Sequence, residues 1–295
     1  MATQMKRAFS LVELSIVILI IGVLIAGIGQ GIELVQDARL SSARMLTQSS
    51  RVNSLKGLIL WLETTSEVSF SSTETSDNST VSSWNDINPQ ATVKNNATQT
   101  GVSSIKPIYI EKGINNLPIL RFDGVAQYLN YDGSALVNSD YTIFVVEKIT
   151  NSISPGYFLA GTDVTENRNL HLGYRPDSTK AITQDHFFSG INYTRTPASY
   201  IIAPAMHSFW FSTSGGKKYW NNGGVTAEAS ASTTSQPSQG AALVSYNGAK
   251  IALMGTAEYY KGDIAEIIMF SRALSDKDRQ AVESYLSKKW AIKIS

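Results

Sequence analysis

The run Tyr141-Thr-Ile-Phe-Val-Val-Glu-Lys148 decides how most of this chain is read. Apolar residues fill both alternating faces of 142–146, a pattern that a strand shows when it is buried between two layers. Working outward, residues 58–62, 118–122, 207–212, 250–254 and 263–270 are further short apolar or alternating runs, set apart by clusters of Gly, Asn, Asp, Pro and Ser. Asn221-Asn-Gly-Gly224 and Asn247-Gly248 supply the positive-φ residues that tight hairpins need. The Ser/Thr-rich stretches 71–80 and 226–239 read as surface loops. One helix closes the chain: Ser275 stands as N-cap three residues before Asp278, and Val282, Tyr285, Leu286 and Trp290 recur on one helical face. The spacing predicts a β-sandwich over 56–295 with a short C-terminal helix packed on it.

Composition excludes several functions. The 295 residues carry 25 Lys+Arg against 24 Asp+Glu, a formal net charge of +1, and no basic cluster beyond the N-terminus. Tight nucleic-acid binding needs many phosphate contacts, so no nucleic-acid partner is expected. With no cysteine and only three histidines, His171, His186 and His207, disulfides, thiolate chemistry and Cys-ligated zinc are excluded, and a metalloenzyme is not expected.

The N-terminal region has a different grammar. No charge falls between residues 14 and 32, and as a helix that stretch spans about 28 Å, close to a bilayer core of roughly 30 Å. Lys6 and Arg7 precede it, which by the positive-inside bias holds the N-terminus in the cytoplasm and sends the rest outward. A cleaved secretory signal is the rival reading. Against it, Glu13 stands inside the segment that a signal keeps apolar, and helical periodicity continues through Ala38, Met45 and Val52. On position alone, Glu13 is either a carboxylate snorkelling to the interface or a charge that needs a partner.

Lys6-Arg-Ala-Phe9-Ser-Leu-Val-Glu13-Leu-Ser with its apolar run resembles the N-terminus of type IV pilins and pseudopilins. The resemblance covers roughly residues 5–55 and implies a leader of residues 1–8, cleavage between Ala8 and Phe9 by prepilin peptidase, and N-methylation of Phe9. The family usually has Gly where this chain has Ala8. It implies a helix over 9–55, membrane-spanning over about 14–32. In a stack of such helices the freed amine of Phe9 can meet the Glu13 carboxylate of a neighbouring subunit in low dielectric, which sets the stagger. The implied partners are other pilin subunits and the pilus or secretion assembly machinery. The implied location is the inner membrane before assembly, with the large domain periplasmic, and then an extracellular pilus or a periplasmic pseudopilus.

The larger region carries a second resemblance. Gly57-Leu-Ile-Leu-Trp61-Leu, Val81-Ser-Ser-Trp84-Asn-Asp86, Asn115-Asn-Leu-Pro-Ile-Leu-Arg121-Phe-Asp123-Gly124, Tyr141-Thr-Ile-Phe-Val-Val and Gly262-Asp-Ile-Ala-Glu266-Ile-Ile-Met-Phe-Ser-Arg272-Ala-Leu-Ser275 are similar to the concanavalin A-like lectin/glucanase superfamily, in particular its laminin-G-like jelly rolls. The fold class expected is therefore mainly β: a long N-terminal helix, a jelly-roll sandwich and a short C-terminal helix.

Retaining glucanases need two carboxylates about 5 to 5.5 Å apart. Asp263 and Glu266, three residues apart, fall on opposite faces of a regular strand, so no catalytic residue is assigned and the protein is expected not to be an enzyme. Glu266 is expected to pair with a buried group such as Arg272, and Asp263 to serve a turn. Sugar contact needs an aromatic platform, and Tyr219, Trp220 and Trp84 are the candidates, because adjacent strand residues face opposite ways and one of Tyr219 and Trp220 should look outward. Asp86, Asp123 and Asp163 could ligate calcium, and no other cofactor is expected. The function expected is a pilin-like subunit carrying a lectin-like domain for adhesion or recognition of surface glycans. The alternatives are a membrane-tethered carbohydrate-active enzyme and a purely structural pseudopilin.

Overall fold

The computed structural model describes residues 11–150, 156–163, 165–175, 181–187, 190–194 and 202–295, without the side chains of 26–30, 32 and 192–194. Ala8 and Phe9 lie outside the described residues. The chain divides into one unit ending at Ser42 and a second over Ala43–Ser295.

Helix α1 (Leu11–Ser49) begins the described chain, and a short 3-10 turn, Arg51–Ser54, follows it. Its described side chains from Leu11 to Ile25 are exposed, Leu11 at 84% and Leu19 at 66%. The membrane span expected over 14–32 is not recovered: among the described residues, no helix is both long and apolar enough to cross a membrane.

The second unit is a two-sheet sandwich. In chain order its strands are β1 (Leu58–Glu63), β2 (Ser83–Trp84), β3 (Ala97–Thr98), β4 (Ile108–Ile110), β5 (Ile119–Asp123) and β6 (Leu129–Asn130). There follow β7 (Tyr141–Ile149), β8 (Tyr157–Ala160), β9 (His171–Tyr174), β10 (Ala181–Asp185), β11 (Gly190–Thr194) and β12 (Ala205–Ser212). The last are β13 (Gly216–Asn221), β14 (Ala229–Ala231), β15 (Lys250–Ile251), β16 (Leu253–Met254), β17 (Glu258–Tyr259) and β18 (Lys261–Phe270), before helix α2 (Asp276–Trp290). The first sheet runs β14-β13-β12-β7-β18-β5-β4, with β1 also on β18; the second runs β11-β10-β9-β8-β15-β6-β3-β2. A small ribbon pairs β16 with β17.

Strand β7 shows why the sequence reading works. Tyr141, Ile143 and Val145 join the core between the sheets, while Phe144 and Val146 are buried on the other face, beneath α2. The α2 face is formed by Val282, Tyr285, Leu286 and Trp290, all buried, and the Ser275 hydroxyl accepts from the Asp278 N–H as its N-cap. Two expectations change. The stretch 226–239 is not wholly loop, because β14 pairs with β13 inside it. The run 250–254 breaks into β15 and β16 at Ala252, whose φ is 69°.

Buried charge locks the layers together. Lys289 Nζ, fully buried, lies 2.7 Å from Glu63 Oε2 and 2.9 Å from Glu266 Oε2, and donates to Thr47 Oγ1 at 2.9 Å. Glu266 also accepts from Trp61 Nε1, Trp290 Nε1 and Tyr285 Oη, each at 2.8 Å. Glu266 therefore pairs with Lys289 and not with Arg272. A bulge in β18 between Ile264 and Glu266 corrects the parity argument as well. Ile264 and Ile267 both enter the core, so Asp263 and Glu266 turn to the same face. Asp263 serves no turn: it takes a bidentate pair from Arg121 at 2.7 and 3.0 Å.

Candidate functional site

The aromatic candidates from the sequence are all inside. Trp84 is fully buried and donates its indole N–H to the Glu63 carbonyl at 2.9 Å. Tyr219, 1% exposed, hydrogen-bonds His207 Nδ1 at 2.8 Å, and His207 Nε2 reaches Glu147 Oε1 at 2.8 Å. Trp220, 2% exposed, lies under the Arg279 guanidinium at 3.8 Å on the opposite face. The two face apart, as alternation along β13 requires, but this sheet is covered on both sides, so neither reaches solvent. The Asn221-Asn-Gly-Gly224 stretch is no two-residue hairpin: Asn222, Gly223 and Gly224 all have positive φ in a longer loop. A Cβ on Gly223 would lie 3.0 Å from Glu283 Oε2.

The aspartates considered for calcium hold backbone instead. Asp86 Oδ1 accepts from the N–H groups of Trp61 and Asn88, and Asp123 Oδ1 from those of Val125, Ala126 and Gln127. Asp163 Oδ1 accepts from Thr165 N at 2.9 Å. Among the described residues, no group of three or more His, Asp or Glu could hold a metal ion.

The structure assembles a different site on the outer face of the second sheet. Leu172, Tyr174 and Ile182 point into the core, so by alternation His171, Gly173, Thr183 and Asp185 lie on the far side of β9 and β10. Cross-strand pairing sets Asp185 directly opposite His171, and Thr183 opposite Gly173, which also pairs with Tyr157 of β8. Together with Arg175, Phe187, Gly190 and Met254, the side chains on this face line a cleft of about 410 Å³. Its floor needs glycine: at Gly173, φ 153°, a Cβ would come within 2.5 Å of Tyr157 Cα.

His171 is held on two sides in the cleft. Its ring sits between Tyr157, 5.4 Å away between centroids, and Phe187, 5.5 Å away and edge-on. Only 5% of the residue is exposed, and among the described residues Nε2 has no hydrogen-bond partner. Burial, reinforced by the Arg175 charge, pushes its pKa down to about 4, so the ring is neutral at neutral pH. Glu258 stands opposite Met254 in the β16–β17 ribbon, with a buried Oε2 that has no hydrogen-bond partner among the described residues. Burial raises its pKa, and the Arg175 charge offsets part of that rise. An aromatic ring beside unmet hydrogen-bonding atoms in a concave polar floor is the chemistry that holds a polyhydroxylated ring. Sequence reading noted His171 only as one of three histidines. Alternation gives no clear signal in β10, where Gln184 makes the Ile182 face as polar as the Thr183 and Asp185 face, and nothing in the segment says what stands across from it.

No family model matches the chain, and no curated protein sequence matches it. Solved structures of similar fold do. The binding domain of Paraclostridial Mosquitocidal Protein 1 aligns at TM-score 0.55 and 12% identity, covering 80% of this chain and 53% of that one. Trypanosoma rangeli sialidase in complex with 2,3-difluorosialic acid aligns at TM-score 0.51 and 13% identity, over 88% of this chain and 39% of that one. A mutant GH54 α-L-arabinofuranosidase soaked with 4-nitrophenyl α-L-arabinofuranoside aligns at TM-score 0.50 and 13% identity, over 72% of this chain and 51% of that one. This chain thus spans about half or less of each. The neighbours are β-sandwich proteins that bind or act on carbohydrate, or are named as a binding domain. They overturn the expectation that the protein is not an enzyme, since chains of this fold include a sialidase and an arabinofuranosidase.

Proposed function

We propose that the sandwich recognises carbohydrate through the cleft over β8, β9 and β10. The observation that carries this reading is the Tyr157 ring packed beside the buried, unpartnered His171 Nε2, with Asp185 directly across the sheet. The sialic acid analogue in complex with the sialidase and the arabinofuranoside soaked into the arabinofuranosidase support a glycan as the ligand class. A glycan array probed with the full chain in detergent tests it. Binding should be lost in Tyr157→Ala, and a blank array refutes the reading. A hydrolytic form of the same reading rests on two carboxylates: Asp185, which lines the cleft, and Glu258, beside its Met254 wall. Glu266, locked to Lys289 inside the fold, cannot take that part. Release of reducing ends from the glycans bound on the array, abolished in Glu258→Gln, would support it.

For the N-terminal helix, a pilin-like role is the second reading, supported by the exposed apolar side chains of α1 and by the Phe9-to-Glu13 motif. In it, prepilin peptidase cuts between Ala8 and Phe9, subunits pack through α1 in the membrane and then in a filament, and Glu13 pairs with the freed amine of a neighbour. Glu13→Ala should leave membrane association intact and abolish incorporation into filaments. Mass spectrometry that finds residues 1–8 still attached would end this reading.

A further inference from the structure

The cleft also carries information about which glycans it takes, an inference that rests on the carbohydrate-recognition reading above. Two polar atoms have no hydrogen-bond partner among the described residues: Nε2 of His171, which lines the cleft on a side chain more than nine-tenths buried, and Oε2 of Glu258, which stands across the ribbon from the cleft residue Met254 and feels the Arg175 charge. A buried polar atom left unmet carries a penalty that a ligand removes by supplying the missing partner. Glu258, as a carboxylate, can only accept, so it calls for a hydroxyl or amide N–H.

The charge around the cleft points the same way. Asp185 and Glu258 bring two carboxylates, and Arg175 is the one cation among the described residues lining the cleft. The imidazole adds no positive charge, because burial keeps it neutral. Lys217 lies near enough to feel Asp185, but it is itself buried and its ammonium is held by the Gln239 carbonyl at 3.2 Å. Among the described residues, a ligand carboxylate entering here would meet two carboxylates against one guanidinium in a partly desolvated space, where like charges repel strongly.

We infer that the cleft selects neutral, hydroxyl-rich glycans and excludes carboxylate-bearing ones, with Glu258 and His171 as the residues that determine this specificity. Glu258 Oε2 accepts from a sugar hydroxyl. His171 Nε2 meets a second hydroxyl beside the Tyr157 ring. The sialic acid analogue held by the sialidase of like fold is then the wrong class of sugar for this chain.

The test uses the full chain in detergent and matched pairs of ligands: lactose against sialyllactose, and methyl glucoside against methyl glucuronide, together with array members paired in the same way. Neutral members should bind at least about tenfold more tightly than their acidic counterparts, the discrimination that one unmet hydrogen bond or one like-charge contact supplies. Glu258→Gln keeps the shape and removes the charge, so it should narrow that ratio to within about threefold with an unchanged melting temperature. His171→Ala should weaken neutral binding by about tenfold without restoring the acidic members. Equal or tighter binding of the acidic members, or an unchanged ratio in Glu258→Gln, overturns the inference while the carbohydrate reading stands. No binding to any member of the pairs or of the array overturns both.

Discussion

Replacing Lys289 by Met removes the one ammonium inside a cluster of two buried carboxylates while keeping most of the side-chain volume. In the native protein that ammonium sits 2.7 Å from Glu63 and 2.9 Å from Glu266, with all three side chains fully buried. Burial alone would push the Glu63 carboxyl up, but the Lys289 charge and the hydrogen bonds from Lys289 and Thr65 outweigh it and hold it below its usual 4.5. Glu63 therefore contributes stability that is present above pH 4.5 and lost as the pH falls through its lowered folded value. Without Lys289, Glu266 keeps its two indole donors and a phenol, and Glu63 keeps the Thr65 amide and hydroxyl. Both charges lose their counter-ion, and breaking a buried pair from one side costs about 3 to 5 kcal/mol. For a unit of this size that lowers the melting temperature by roughly 6 to 20 °C, at about 2 to 4 °C per kcal/mol. Urea denaturation at about pH 7 and about pH 5 measures it. The deficit should shrink at the lower pH, where the uncompensated carboxylates take up protons, and Glu63→Gln in the Lys289→Met background should recover at least about 1 kcal/mol. A loss below about 1 kcal/mol, or a deficit that ignores pH, would refute the account of this cluster as an ionic lock.

Burial holds His171 near 4 and His186 near 3, so the folded chain binds fewer protons than the unfolded one; stability should fall as pH drops from about 6.5 toward 4, by up to about 1.4 kcal/mol per pH unit per histidine, measured as the denaturation midpoint against pH. Burial also lowers Lys217 to about 8, so the cost of keeping its charge inside is lifted as pH rises from about 8 to 10.5, and the midpoint should rise there unless Lys217→Met removes the effect. Trp220→Ala, which empties the space beneath Arg279, should cost about 3 to 5 kcal/mol by thermal unfolding yet leave glycan binding at permissive temperature unchanged. Gly173→Ala should push the Tyr157 backbone aside, destabilise by about 1 to 3 kcal/mol and weaken ligand binding. Ala at Gly255, which also has positive φ but whose Cβ meets nothing within 4 Å, should leave binding intact.

Local pattern determined a good deal of this protein. The double apolar face of Tyr141–Ile149, the capped helix after Ser275 and the breaks at Gly and Asn placed the main strands of the sandwich and its closing helix, because burial imposes its period on each segment separately. The cleft was not legible in this way. His171 and Asp185 become neighbours only through the β9–β10 register, and each looks ordinary within its own segment. The parity of Asp263 and Glu266 reversed because a one-residue bulge leaves no mark that periodicity can read. One of Tyr219 and Trp220 is expected outside because sequence shows that two faces exist, not that α2 covers one of them and the second sheet the other. Segment periodicity is a property of a few consecutive residues, whereas register, bulges and layer coverage depend on which distant segments meet, and that is set only when the whole chain packs.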